Sequence, residues 1–338
     1  MVSAKWTQIL DTQRVKRSSQ ALSVIGSDAY IYGGEIKPRE PVDSDIHVIH
    51  LAEVQNDADL VSKITASNSG PSPRVGVLST GLDGKLYVFS GRGGVAMSPI
   101  EEKGSLWVFD PVEEQWARVA PKDETLPYPE GRSYYALTSD GHDAIFLHAG
   151  CPEKGRLCDL WSFNIMDRAW KRLADAPEPA RGGPSIAFSD GKLYRMNGFD
   201  GKTEQGGNLD VYDVANDIWT TIAYPADGCS GPPARSVSCL VAIRISGKPV
   251  LVTVFGESDP SNLGHQGAGK MLNDAWIFHI DTSIWTKVDM SGLDRPAARG
   301  WFDADVLQSS PSPKVVIHGG LAESNERLGD LWTLEFDD

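Results

Sequence analysis

The feature that most constrains this chain is a repeat of about fifty residues that runs through its 338 residues. A typical copy has an arginine, often in Pro-x-x-Arg, then two short apolar strands, a variable loop, an Asp-Leu-Trp-like strand and a final strand that begins with Trp. Four strands at this period are typical of a β-propeller blade, which buries its faces by stacking on its neighbours. The copies begin near Arg17, Arg74, Arg132, Arg181, Arg235 and Arg299.

Turn residues and tryptophans support this interpretation. An Asp-Gly or Ser-Gly pair separates the first two strands of four copies, as expected for hairpins, because glycine tolerates positive φ. The tryptophan of the last strand recurs at equivalent positions, and we expect it to pack between neighbouring blades. The turn pairs are Asp83-Gly84, Asp140-Gly141, Asp190-Gly191 and Ser246-Gly247, and the tryptophans are Trp116, Trp170, Trp219 and Trp285.

The two ends of the chain complement each other. The last copy stops after its third strand, near Trp332, whereas the segment from Lys5 to Ile9 resembles the fourth strand that begins at Trp285. The sequence therefore predicts an all-β, six-bladed propeller, a single domain over residues 1–338, in which residues 5–10 complete the last blade and close the ring. Closure would remove exposed sheet edges.

Composition excludes several classes of partner. The formal net charge of −14 disfavours nucleic acid and anionic membrane surfaces. The sequence has neither a signal-peptide pattern nor an apolar run of transmembrane length. Its four cysteines form no Cys-x-x-Cys pair, so we expect reduced thiols and a cytoplasmic protein.

One loop, residues 255–269, interrupts the repeat and carries candidate chemistry. Glu257, Ser261 and His265 are evenly spaced within it, and Asp259 is a further carboxylate. Carboxylate and imidazole groups suit Fe(II), Mn(II) or Zn(II), or can act together as a general acid and base. The alternative is a structural loop in which Glu257 pairs with an arginine and His265 caps carbonyl groups.

The residues after the second strand of each blade are predicted to surround the mouth of a central channel. This expectation places two acids and one arginine at a common opening, and the arginines of the Pro-x-x-Arg motifs are predicted to add positive charge there. The residues are Glu35, Arg92, Cys151, Gly198, Glu257 and Gly320.

The motifs also resemble a particular group of kelch-repeat proteins. Tyr32-Gly33-Gly34-Glu35, Ala180-Arg181-Gly182-Gly183, Arg299-Gly300-Trp301 and Asn325-Glu326-Arg327 are similar to segments of the plant specifier proteins of glucosinolate breakdown, which include nitrile-specifier, epithiospecifier and thiocyanate-forming proteins. The resemblance covers essentially the whole chain. It implies a kelch propeller that uses Fe(II) to redirect an unstable aglucone produced by myrosinase.

The resemblance also implies roles for individual residues. Glu257 and His265 match the family's iron motif Glu-x-x-x-Asp-x-x-x-His, whereas Ser261 stands at its aspartate and removes one anionic ligand. Arg92 and Arg156 match arginines that hold the anionic substrate. Tyr134 and Trp301 fall where family aromatics line the pocket. The alternative for the two arginines is pairing with Glu35, Glu257 or loop acids.

These observations predict a small-molecule enzyme of specifier type, a lyase or isomerase of specialised metabolism. It would act on an anionic or reactive metabolite by elimination, rearrangement or cyclisation, with Glu257 and His265 as catalytic or Fe(II)-binding residues. Arg92, Arg156, Tyr134, Trp301 and Glu35 would bind the substrate. The rival interpretation is a non-catalytic kelch scaffold that binds a protein partner.

Overall fold

The computed structural model describes residues 2–52, 60–66, 69–290, 294–308 and 312–336, except for the side chain of His265. Over these residues it forms twenty-nine β-strands and two short 3-10 helices. Contacts divide the chain into two units, Met1–Ser18 with Gly183–Asp338, and Ser19–Gly182. No helix within the described ranges is long and apolar enough to cross a membrane.

The elements alternate short strands with tight turns throughout. In chain order they are β1 (Val2–Asp11), η1 (Gln13–Val15), β2 (Ser18–Ile25), β3 (Asp28–Lys37), β4 (Glu40–Pro41), β5 (Ile46–His50), β6 (Val61–Ile64), β7 (Ser79–Leu82), β8 (Lys85–Phe89), β9 (Arg92–Gly93), β10 (Ser98–Pro99), β11 (Leu106–Asp110), β12 (Gln115–Val119), β13 (Ala136–Ser139), β14 (Ala144–Gly150), β15 (Leu157–Asn164), β16 (Ala169–Leu173), β17 (Ser185–Ser189), β18 (Lys192–Met196), β19 (Asn208–Asp213), β20 (Ile218–Ala223), β21 (Val241–Ile245), β22 (Lys248–Val254), β23 (Glu257–Asp259), η2 (Gly264–Gln266), β24 (Lys270–Met271), β25 (Ala275–His279), β26 (Ile284–Asp289), β27 (Asp303–Leu307), β28 (Lys314–His318) and β29 (Asp330–Phe336).

The unit Ser19–Gly182 contains three blade-like sheets. Their orders are β2-β3-β5-β6 with β4 on β3, β7-β8-β11-β12, and β13-β14-β15-β16. The predicted hairpin at Asp83-Gly84 is confirmed, because both residues have positive φ between β7 and β8. The same holds in the other unit for Asp190-Gly191 and Ser246-Gly247.

The unit formed by Met1–Ser18 and Gly183–Asp338 contains a four-stranded sheet, β17-β18-β19-β20, and an eight-stranded one. In the larger sheet β1 pairs antiparallel with β29, from Ala4 opposite Phe336 to Asp11 opposite Asp330. At its start β1 also runs parallel to β26. The N-terminal strand therefore lies beside the last strand as predicted, while the six-bladed closed ring remains a prediction.

Tryptophans fill the space between sheets. Trp116 of β12 packs against Tyr32 of β3 with ring centroids 5.1 Å apart, and Trp170 of β16 lies 5.7 Å from Phe89 of β8. Trp6 of β1 stacks on Phe255 at 5.7 Å. These contacts confirm the expected packing of Trp116 and Trp170 between neighbouring sheets.

The motif arginines do not carry positive charge to the surface, contrary to the sequence-based expectation. Arg132, Arg235 and Arg299 are fully or almost fully buried, and each makes a two-point ion pair with an aspartate 27 to 39 residues later in its copy. Each also donates to a carbonyl group at the end of the second strand. Arg74 does the same with Glu102. Their charge is neutralised within the scaffold, because a buried cation needs a paired anion.

A second regularity lies two residues after each of the six motif arginines. All six residues there adopt left-handed backbone conformations, with φ between 45° and 61°. Backbone hydrogen bonds link them in series within each unit: the Gly76 and Tyr134 N–H groups donate to the previous member in one, and the Val237 and Trp301 N–H groups do so in the other. The six residues are Ser19, Gly76, Tyr134, Gly183, Val237 and Trp301.

Candidate functional site

Glu257 begins the short strand β23, directly after the left-handed pair Phe255-Gly256 that ends the second strand of its copy. Its backbone N–H and C=O both bond with Ser236, at 3.0 and 2.9 Å. Across the loop Glu257 also pairs with Met271 of β24. Backbone pairing on both sides therefore fixes where the side chain of Glu257 begins.

The Glu257 carboxyl group is buried, and no cation of the described residues forms an ion pair with it. The residue is 4% exposed, and its Oε1 accepts a hydrogen bond of 2.8 Å from the Gly269 N–H. The pKa of Glu257 is raised to about 7: burial is the main cause, the Gly269 hydrogen bond acts to lower the pKa, and the charge of Asp259 adds to the rise. Among the described residues none donates a hydrogen bond to Oε2. A carboxyl group in this state can hold or accept a proton near neutral pH.

Gly269 is required by close approach rather than by its backbone conformation. A methyl group at this position would lie 2.4 Å from Oε1 of Glu257 and 1.9 Å from the carbonyl oxygen of Asp259. Only a residue without a side chain lets the loop backbone reach the carboxyl group. This contact helps to hold the carboxylate in place, and sequence reasoning did not identify it.

The rest of the predicted metal motif is spread along the loop. Asp259 is exposed, and the Ser261 hydroxyl accepts the Leu263 N–H at 3.1 Å. The backbone of His265 lies in η2, but its side chain is outside what the structure describes. Within the described part of the chain, no three His, Cys, Asp or Glu residues group in a metal-binding arrangement. Glu257 fits the role of a ligand, whereas the engaged Ser261 hydroxyl does not.

A second loop holds this one in position. The Glu323 carboxylate accepts the Met271 N–H at 2.8 Å, opposite Glu257, and the Asn325 side-chain amide donates to the Gln266 carbonyl at 3.2 Å, next to His265. The Lys16 ammonium pairs with Glu326 at 2.7 Å and anchors the same segment. Sequence analysis missed Glu323 as a site residue, because nothing in the spacing shows that two loops 50 residues apart meet.

Apolar groups surround the backbone of Glu257. A methyl group placed on Gly300 would lie 3.1 Å from Cγ2 of Val237, 3.2 Å from the Met271 sulfur and 3.4 Å from the Glu257 nitrogen. Trp301, predicted as a pocket aromatic, follows Gly300, and its N–H donates to the Val237 carbonyl at 3.0 Å. The structure thus brings Glu257 and Trp301 into one cluster with Val237.

Arg92 lies in the other unit and is bonded to neutral oxygens. Its guanidinium group donates to the Ser133 hydroxyl at 2.9 Å, the Met97 carbonyl at 3.0 Å and the Pro152 carbonyl at 2.6 Å. No carboxylate of the described residues forms a salt bridge with it. Among the described residues, no acid therefore neutralises Arg92, unlike the alternative in which an acid pairs with it. The charge of Arg92 is available to bind an anion.

The buried Glu35 and the partly buried Tyr134 interact near Arg92. Glu35 is 7% exposed, and its Oε2 accepts the Arg39 N–H at 2.6 Å. Burial first, and then the Glu35 charge, raise the pKa of the Tyr134 hydroxyl above its ordinary value, while a hydrogen bond with Ser19 and the charge of Arg92 act against them. Tyr134 therefore stays protonated and can donate a hydrogen bond.

Arg156 lines a surface groove of about 340 Å³ in the same unit. Trp161, Cys158 and Glu178 are among the other lining residues. Cys151 lies close enough to Arg156 and Arg92 that both charges act to lower the pKa of its thiol, although burial raises it overall. All four cysteines are free thiols, so none is tied into a disulfide.

Comparison with known proteins finds relatives of two kinds. The chain is 27% identical over 342 residues to the N-(sulfonatooxy)prop-2-enimidothioate sulfolyase of Thlaspi arvense, covering 94% of this chain and 91% of that protein. It is 24% identical over 268 residues to human host cell factor 1, covering 74% of this chain but only 12% of that longer protein. The resemblance to specifier-type proteins is thus confirmed by one relative along nearly its whole length.

The fold and the family follow from two further matches. The solved structure of YjhT superposes with a TM-score of 0.71 over 98% of this chain and 99% of its own, at 14% sequence identity, which shows an all-β, propeller-like fold. Residues 19–256 match the model of the KLHDC2/KLHL20/DRC7 kelch-repeats domain, well over half of the chain. The chain belongs to this kelch-repeat family.

Proposed function

We propose that this protein is a small-molecule enzyme of specifier type that acts on an anionic, reactive metabolite. Elimination is the simplest reaction that the site could catalyse. The observation that carries the proposal is Glu257, a buried carboxyl group that pairs with no cation of the described residues and has a pKa of about 7. The relative named as a sulfolyase supports this class of chemistry.

Glu257 would act by moving a proton. In its ionised form it can take a proton from the substrate, the electron pair left behind forms the new bond, and the leaving oxyanion departs with the electrons of its own bond. A pKa near the working pH lets one group take up and return the proton. His265 would serve as the partner that orients or exchanges this proton.

Arg92 and Arg156, in the unit Ser19–Gly182, are proposed as anion-binding residues in their own right. Arg92 is held by three neutral oxygens, so its position is set without loss of its charge. A guanidinium group fixed in this way binds sulfate or carboxylate oxygens through charge-assisted hydrogen bonds. Tyr134 and Glu35 would line the same region, Tyr134 as a hydrogen-bond donor.

A metal ion is the alternative form of the site. Glu257 and His265, with Asp259 in place of the engaged Ser261, would hold Fe(II), which would supply Lewis acidity toward the leaving oxyanion. The proton-transfer form requires only residues that the chain provides, and the two forms make different predictions.

The test uses N-(sulfonatooxy)prop-2-enimidothioate, within a panel of anionic metabolites, with and without added Fe(II). Both Glu257→Gln and His265→Ala should abolish turnover while the fold is retained. Loss of activity with a chelator and recovery with Fe(II) would select the metal form, and Ser261→Asp should then bind the metal more tightly. Full activity in both variants would reject Glu257 and His265 as the functional centre.

A protein-binding scaffold is the second candidate, favoured by the similarity to host cell factor 1. In that case the loop that carries Glu257 would contact a partner protein and no metabolite would be turned over. The same two variants separate the candidates, because a scaffold loses binding of its partner but has no activity to lose.

We also propose that the repeat forms six blades and that residues 5–10 close the ring. Six arginine positions, each followed after two residues by a left-handed residue, support the count. Pairing of β1 with β29 supports the closure.

A further inference from the structure

The six left-handed positions after the motif arginines differ in their side chains. Gly76 and Gly183 occupy two of them, and glycine adopts this conformation without steric cost. Tyr134, Val237 and Trp301 occupy three others with bulky side chains. The repeat thus requires the backbone conformation but not the side chain, so these larger residues need another explanation.

Val237 is the most unfavourable of them. A β-branched residue with φ of 45° is a genuine outlier, because its branched carbon crowds the backbone in this region. It is also partly exposed, so burial in the core does not compensate for the strain. Strained residues of this kind cluster at binding and active sites.

The surroundings of Val237 lead to Glu257. The preceding residue, Ser236, exchanges both backbone hydrogen bonds with Glu257. One methyl group of Val237 lies against Gly300, which also borders the Glu257 nitrogen and the Met271 sulfur. The other methyl group lies against Gly183. The isopropyl group is therefore part of the apolar surface beside the backbone of Glu257.

We infer that Val237 is a specificity-determining residue: it forms the wall that contacts the uncharged side group of the substrate and limits its size. The inference rests on the proposed function. It adds that the anionic substrate carries a compact apolar side group. Trp301, hydrogen-bonded to Val237 through the backbone, continues the same wall.

The experiment compares Val237→Gly with the wild type and with Ser283→Gly, which removes a left-handed non-glycine residue from the distant turn between β25 and β26. The probes are N-(sulfonatooxy)imidothioates with side groups from methyl to benzyl, released in situ from their thioglucosides. In Val237→Gly the ratio of kcat/KM for benzyl to that for methyl should rise at least about tenfold, the scale of discrimination by a few carbon atoms in an apolar pocket. Ser283→Gly should leave this ratio unchanged.

Stability provides the second measurement. The free energy of unfolding of Val237→Gly should be no lower than that of the wild type, since strain is relieved. A clear loss of stability, not seen in Ser283→Gly, would identify Val237 as a packing residue and overturn the inference. An unchanged ratio in an active variant would also overturn it while leaving the proposed function intact. Inactivity of the wild type toward every probe would reject the proposed function, and the inference with it.

Discussion

Asp274 and Glu257 are two largely buried carboxyl groups of the same repeat copy with opposite properties. Arg235 binds Asp274 through two hydrogen bonds of 2.8 and 2.9 Å, and the Trp276 indole adds a third. Burial alone would raise the pKa of Asp274, but the charge and hydrogen bonds of Arg235 hold it below its ordinary value. Within the described part of the chain, Glu257 has the Gly269 N–H as a donor and no cationic partner, and its pKa rises to about 7.

The difference separates scaffold from site. Arg235 also donates to the carbonyl of Phe255, two residues before Glu257, so the same cation supports the strand end that presents the second carboxyl group. Its charge, however, is committed to Asp274. The repeat thus pairs Asp274 with an arginine, whereas no cation of the described residues pairs with Glu257. A buried carboxyl group without a counter-charge is suited to acid-base chemistry.

The largest effect is expected from removal of the N-terminal strand. Deletion of residues 2–11 exposes the edge of β29 and removes Trp6 from its stack on Phe255, next to Glu257. Loss of a buried tryptophan alone costs about 3–5 kcal/mol, so we expect unfolding or aggregation, measured by thermal melting and light scattering. An unchanged melting temperature would contradict ring closure by β1.

The next effect tests the scaffold carboxylate. Arg235→Ala leaves the Asp274 carboxylate buried without its cation and should lower the free energy of unfolding by about 3–5 kcal/mol in urea titrations. Arg244→Ala is the matched control, because its ion pair with Asp190 is exposed and should contribute less than about 1 kcal/mol. Similar losses in the two variants would mean that the buried pair is not part of the scaffold.

The site carboxylate should behave in the opposite way. Because the folded state raises the pKa of Glu257, its stability contribution is present below about pH 4.5 and is lost as pH rises through about 7. Glu257→Gln removes this dependence. Relative to the wild type, its free energy of unfolding in chelator should rise between pH 5 and pH 8.5 by up to about 3 kcal/mol.

The control for this measurement is Asn262→Ser, which changes an exposed, uncharged residue of the same loop. It should show little change with pH. A Glu257→Gln variant that is destabilised at every pH would indicate that the carboxylate is a structural acceptor for Gly269 rather than a proton-binding group.

Much of this contrast could be predicted from sequence. The strand repeat, the Asp-Gly turns and the tryptophans were visible because they depend on local chemistry, and Glu257 was identified because its loop interrupts the repeat. The pairing of Arg235 with Asp274 was not foreseen, since it joins two motifs 39 residues apart whose relation only the folded sheet reveals. For that reason the arginines were wrongly assigned to the channel mouth.

Other features of the site depend on close approach that no spacing encodes. Gly269 looked like an ordinary loop glycine, yet its backbone donates to Glu257 because no side chain intervenes. Glu323 lies in a different repeat copy and meets Met271 only after folding. The left-handed conformation of Val237 was hidden because a glycine marks the same position in only two copies of the repeat.

The most direct test of the central claim is the titration of Glu257 itself. In protein labelled with ¹³C at the glutamate side-chain carboxyl, kept free of metal by a chelator, the Glu257 resonance can be assigned as the signal missing from Glu257→Gln and followed from pH 3 to pH 9. We predict a midpoint near 7, well above the ordinary glutamate value. A midpoint near the ordinary value of about 4.3 would contradict the account, because Glu257 would then be a solvated or paired carboxylate like those of the scaffold.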